Sequence, residues 1–233
     1  MFHGFAPAAW AFLDALAADN TRGFFDAHRD EYRTLVAEPT AELVEDLGPA
    51  LAERVHPDLR GEPRVGRSLF RINRDTRFSA DKTPYKTHVD LLFWTGDGPP
   101  RTRPAVIMRL DASTVLLGAG RMGLDRAELD RHRAAVVDDV DGPALRRIVD
   151  ELVTGGATLS EPTRKRVPRG LPADHPNADL LLRRDGLHLS RTTGHPDELG
   201  DERFVDWCCD RLVPFSPLLS WLVDRTVADP AHA

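Results

Sequence analysis

The chain has 233 residues, of which 41% are hydrophobic and 29% charged. That length holds a full core in one large domain, and that balance excludes a disordered or membranous chain. No apolar run approaches the roughly 20 residues of a bilayer span, and a net charge of −6 argues against a protein coated in nucleic acid.

The first 20 residues carry Asp14 and Asp19 and lack a basic leader, so they read as an amphipathic helix of the fold and not a secretory signal. The two cysteines, Cys208 and Cys209, are adjacent. Neighbours in a helix point in different directions and suit neither a disulfide nor a zinc site, so a soluble cytoplasmic protein is the expectation.

Trp10, Leu13, Leu16 and Ala17 share one face of a first helix, closed by Asp19 and Asn20. Thr21 has N-cap chemistry for a second, in which Phe25, His28, Tyr32 and Leu35 recur at helical spacing. Pro39 opens a third with Leu43, Val44, Leu47 and Leu51, and Pro49 is expected to end or bend it early. Residues 56–63 read as a turn-rich connection. Strands are predicted over 65–72, 89–94, 104–110 and 114–117. The last two are separated only by Asp111-Ala112-Ser113, which makes them an antiparallel hairpin. Helices follow at 125–137 and 143–152, then an irregular Pro-rich stretch over 161–176. A short helix over 178–183, a strand over 186–191 and a helical tail from 202 to about 227 complete the chain. The pattern predicts one α+β domain over residues 1–233, a central, mostly antiparallel sheet packed with N-terminal and C-terminal helices.

The informative segment is RSLFRINRDTRFSADKTPYKTH, residues 67–88. Its six cations (Arg67, Arg71, Arg74, Arg77, Lys82 and Lys86) face only Asp75 and Asp81, a surplus of four on 22 residues that leaves −10 on the remainder. Six cations cannot sit dry beside two carboxylates, so they face water, pair with distant acids or await an anion. Guanidinium and ammonium groups suit phosphate or carboxylate. Arginine is the default cation, 28 against 3 lysines, yet Lys82 and Lys86 both fall here, with Tyr85, one of two tyrosines, between them. These positions are read as needing an ammonium. Thr83 before Pro84 is pushed extended, so Tyr85 is expected to be held over the loop with its hydroxyl available as donor or proton relay. The structural alternative is an internal ion-pair network to acids of the third helix, Glu38, Glu42, Glu45 and Asp46.

At RINRDTRFSADKTPYKTH the chain resembles the family catalogued as domain of unknown function 2461. The opening FHGF with Phe12-Leu13, the NTRGFFDAHRDEY segment and KRVPRGLPADHP add to the resemblance. A tryptophan frequent in the family is Phe24 here, a departure that touches packing more than chemistry. The resemblance implies a globular α+β domain, found mostly in bacteria, and no established activity.

Gly118-Ala-Gly120-Arg-Met-Gly123 matches the dinucleotide fingerprint, but the preceding hairpin excludes the parallel βαβ unit it requires, so these glycines read as a turn into the next helix. The nine histidines form no metal-binding spacing; His88-Val89-Asp90 and Asp174-His175 come nearest. A second basic run, RKRVPR, contains Lys165 and offers with the first a phosphate-tracking groove, although few aromatics interleave it.

The expected function is binding of an anionic small molecule, phosphate- or carboxylate-bearing, through Arg71, Arg74, Arg77, Lys82, Lys86 and Lys165. Tyr85, Asp75 and Asp81 are candidate proton-transfer groups. Nucleic acid is the alternative partner, a purely architectural motif the third reading, and no membrane partner is expected. No metal ligand is assigned. Cofactor and oligomeric state stay open.

Overall fold

The computed structural model describes residues 1–182 and 185–227. Among them, six strands form one antiparallel sheet in the order β1-β2-β3-β4-β6-β5: β1 Leu59–Arg60, β2 His88–Thr95, β3 Ala105–Asp111, β4 Thr114–Arg121, β5 Thr158–Leu159 and β6 Leu187–Gly194. The helices are α1 Pro7–Ala18, α2 Arg22–Ala27, α3 Arg29–Tyr32, α4 Glu38–Arg54, α5 Arg126–Val137, α6 Asp141–Thr154, α7 Phe204–Leu212 and α8 Ser216–Thr226. The α+β class and the mostly antiparallel sheet stand as read from the sequence.

Strand alternation divides the sheet into two unlike faces. Leu91 and Phe93 of β2, Val106 and Met108 of β3, Val115 and Leu117 of β4 and Leu189 of β6 are buried in the main core. That core also holds α4, α6, α7 and α8, through residues such as Leu47, Val149, Cys208 and Leu219. The opposite face carries Asp90, Leu92 and Trp94 on β2, with Arg109, Ile107 and Ala105 directly across on β3. At its β2–β3 end Leu92, Trp94 and Ala105 form a small cluster with Phe70 and Ile107. A third cluster joins α1 and α2 to Tyr85, through Phe12, Leu13, Leu16 and Phe25.

Local chemistry explains several boundaries. Thr21 Oγ1 accepts from Phe24 N at 3.2 Å and caps α2 as expected. The Asp111 carboxylate accepts from the backbone of Ser113 and Thr114, which sets the β3–β4 turn. Asp125 and Glu128 form a reciprocal capping box at the start of α5.

Other boundaries depart from the sequence reading. Pro49 lies inside α4, which continues to Arg54; burial of Leu43, Leu47 and Leu51 along one face outweighs the lost backbone bond. Ala17 is solvent-exposed and Phe12 takes its place on the buried face of α1. The second predicted helix is broken at His28 and resumes as α3 and a π-helix, Arg33–Ala37, which runs into α4. No strand forms over 65–72. β1 takes the place beside the end of β2, and the predicted strand meets β2 through a Leu69–Leu91 bridge and through Ser68 O, which accepts from Leu92 N at 3.0 Å. β4 runs on to Arg121 and absorbs Gly118 and Gly120, which are therefore strand residues and not part of a turn. A Cβ on either would collide with the backbone of β6. The helix predicted over 178–183 is a π-helix, Ala178–Leu182, and its predicted end at Arg183 lies outside the described residues. Among the described residues no helix is long and apolar enough to cross a membrane.

Candidate anion-binding site

The cationic segment is an extended hairpin laid beside the sheet. Arg74 N donates to Pro84 O and Lys86 N to Ile72 O, each at 2.8 Å, with an Asn73–Tyr85 bridge between them. Its root is clipped to the end of α1 by one side-chain amide: Tyr85 N donates to Asn20 Oδ1 and Asn20 Nδ2 donates to Tyr85 O, both at 3.0 Å. The amide thus acts as a one-residue strand. The Tyr85 ring is buried and stacks on Phe25, with centroids 4.3 Å apart.

The hairpin tip satisfies its own charges. Arg77 grips Asp75 through two side-chain bonds of 2.9 and 2.7 Å, Arg74 donates to Asp81 and Thr83, and Lys82 Nζ donates to Thr76 O at 2.8 Å. The Arg77 bonds hold the Asp75 carboxyl down at about 2, and Arg74 with the Thr83 backbone and hydroxyl does the same to Asp81. Phe78, at 95% exposure, stands out from this tip.

Lys86 belongs to a different environment. Its Nζ lies 5.0 Å from the Phe70 ring centroid and donates to Asp90 Oδ2 at 2.9 Å, while Arg101 approaches the same ring at 4.7 Å. Asp90, whose side chain is 15% exposed, also takes Arg109 Nε at 2.7 Å and stands 3.3 Å from His88 Nε2. Burial alone would raise the Asp90 carboxyl; hydrogen bonds from His88, Arg109 and Lys86 override it and hold the group well below the usual carboxylate range. Lys86 and Arg109 therefore share a single carboxylate, two fixed cations on one anion, with Arg101 on the neighbouring Phe70 ring.

This cluster stands at one end of a groove of about 260 Å³ on the open sheet face. Phe70, Asp90 and Arg109 line its charged end, Ile107, Leu116 and the exposed Met122 its middle, and His188 and Ser190 of β6 its far end. A larger cleft of about 1000 Å³ lies along α6, but Asp138, Asp139, Asp150 and Glu151 outnumber Arg146 and Arg147 there, so it repels an anion.

Residues 8–221 match the family described as conserved hypothetical protein (DUF2461). The chain belongs to that family. No curated protein matches it. The DUF2461 stretch contains the whole hairpin and every wall of the groove.

Of the residues singled out from sequence, Lys86 alone reaches the cluster at Asp90. Arg71 is exposed and has no ion pair among the described residues. Arg74 and Arg77 are neutralised by neighbours, and Lys82 closes the tip on a carbonyl. Lys165 is exposed in the loop after β5, where the adjacent Arg164 pairs with Asp185 at 3.0 Å. Tyr85 packs as a core ring rather than standing over an open loop. Asp75 and Asp81 are too acidic to accept a proton efficiently near neutrality.

Of the ion-pair alternative, only the partners offered from the helix are corrected; Arg67, Arg74, Arg77 and Lys86 do hold carboxylates. Among the described residues none of Glu38, Glu42, Glu45 and Asp46 pairs with a motif cation: Glu38 holds Arg33 and Asp46 accepts from Phe2 N. The motif's acids are instead local ones, with Glu62 taking Arg67 through two bonds. Arg101, Arg109 and Ser190 were not signalled by sequence. Period-two alternation does place Lys86, His88 and Asp90 on one face, but only the strand register brings Arg109 opposite Asp90.

Proposed function

We propose that this DUF2461 protein binds a small phosphate- or carboxylate-bearing molecule at the charged end of the open sheet groove. One observation carries the reading: Lys86 and Arg109 both pair with the single carboxylate of Asp90, so two fixed cations meet one anion. An arriving anion would neutralise surplus charge without first breaking the Asp90 pairs. Arg109, whose side chain is 47% exposed, offers a guanidinium suited to two acceptor oxygens. Three of the hairpin's five cations, Arg74, Arg77 and Lys82, are satisfied at its tip, which narrows the expectation drawn from composition to this cluster.

Titration with inorganic phosphate at low salt, followed by backbone amide shifts, tests the proposal. Binding is expected to perturb residues 86–90 and 107–109, and Arg109→Gln to weaken it about tenfold, the scale of one charge-assisted hydrogen bond. Lys82→Arg is expected to leave affinity unchanged, because that ammonium serves only the tip. An oligonucleotide that bound with steep salt dependence, while Arg109→Gln had no effect, would replace this reading with a nucleic-acid one.

A further inference from the structure

The groove extends well beyond its charged end, and its chemistry changes along its length. Strand register sets the order. Asp90 stands opposite Arg109, and Arg109 opposite Leu116, in one row across β2, β3 and β4. In the next row Leu92, Ile107, Gly118 and Ser190 follow one another from β2 to β6. Gly118 contributes no side chain, so the floor dips between Ile107 and Ser190. Three strand spacings separate β2 from β6, about 14 Å. Over that distance the surface passes from cations to Ile107 and Leu116, then to the hydroxyl of Ser190.

A bare inorganic ion would use only the first few ångströms of this surface. Ile107 and Leu116 are half-buried side chains on the face opposite the main core, and Met122, 70% exposed just past the end of β4, lines the same groove. Resting on the anion-binding reading above, we propose that the ligand is an amphipathic anion. Its phosphate or carboxylate sits at Lys86 and Arg109, a flat apolar ring lies over Ile107 and Leu116, and a hydrogen-bonding substituent reaches toward Ser190. Charge complementarity at one end orients the molecule. Apolar contact in the middle supplies selectivity over simple anions, because burial of a ring adds affinity that a free ion lacks.

The test compares inorganic phosphate with phenyl phosphate on the intact protein, by calorimetric titration. Phenyl phosphate is expected to bind at least tenfold more tightly. Leu116→Asn is expected to remove most of that advantage while leaving phosphate affinity within twofold. Met122→Asn, at a surface position whose exchange cannot unfold the protein, is expected to reduce the advantage in the same direction. Equal affinity for both probes overturns the amphipathic ligand and leaves the anion site standing. Failure of both to bind overturns the two together. A face occupied by a second copy of the chain would appear in sedimentation as a dimer that phenyl phosphate does not dissociate, and that result also overturns the inference.

Discussion

His132 is fully buried in α5, and neither ring nitrogen has a hydrogen-bond partner among the described residues. Trp221 meets it edge-on at 5.7 Å. Burial, reinforced by the neighbouring Arg133 charge, pushes the imidazole down from its usual 6.5 to about 4. The folded state therefore refuses a proton that the unfolded chain accepts, so stability falls as pH drops from about 6.5 to about 4 and levels off below. The difference corresponds to about 3 kcal/mol. Urea midpoints at pH 7 and pH 4.5 should show this loss in the wild type and little of it in His132→Leu. Asp75 and Asp81, held at about 2, begin to contribute only below about pH 4. At this scale the sequence was half legible. The crowding of cations in one segment is visible by counting, and Lys86 is among the residues that counting marks. Which cation meets which acid was not legible, because Asp90 and Arg109 are 19 residues apart and meet only through register.

At the scale of elements, the hairpin over 71–86 depends on a clip that sequence patterning does not reveal. Asn20 reads as the end of a helix, and it is that, but its amide also satisfies both backbone groups of the buried Tyr85. Asn20→Ala leaves an N–H and a C=O unpaired, a cost of about 2 kcal/mol. The backbone amides of residues 72–86 are expected to exchange with deuterium at least tenfold faster in this variant, while those of β3 and β4 keep their protection. Should exchange rise equally everywhere, the hairpin would be an integral part of the global unfolding unit. Elements with strong periodicity, α4 and β2 among them, were readable because their buried residues repeat at their own period. The strand expected over 65–72 failed because an alternating pattern does not specify a pairing partner, and Leu59–Arg60 holds the place at the end of β2. The glycines of β4 misled for a related reason. Gly118 and Gly120 are demanded by the close approach of β6, a strand about 70 residues further on.

For the whole molecule, the sheet is fastened to its helical layer by a buried ion pair as well as by the core. Arg121 at the end of β4 donates to Glu128 Oε2 and to Arg101 O, each at 2.8 Å, while Glu128 also accepts from Asp125 N and so completes the cap of α5. Arg121→Met strands a buried carboxylate and is expected to destabilise the protein by about 3–5 kcal/mol. The double variant with Glu128→Gln should recover part of that loss in a double-mutant cycle; strictly additive losses would mean the two side chains act independently. The α+β class was legible at this scale because helices and strands segregate along the chain. The division of the sheet into a helix-covered face and an open one was not, since it depends on where the later helices fold back.

Both rims of the sheet end in strands of only two residues, and much of the long flank of β2 is already engaged by Ser68 and Leu69. An incoming chain that tried to zip onto the β1 rim would find a docking ladder too short to hold it. Growth of fibrils through that rim should accordingly require the β1 pair to peel away first.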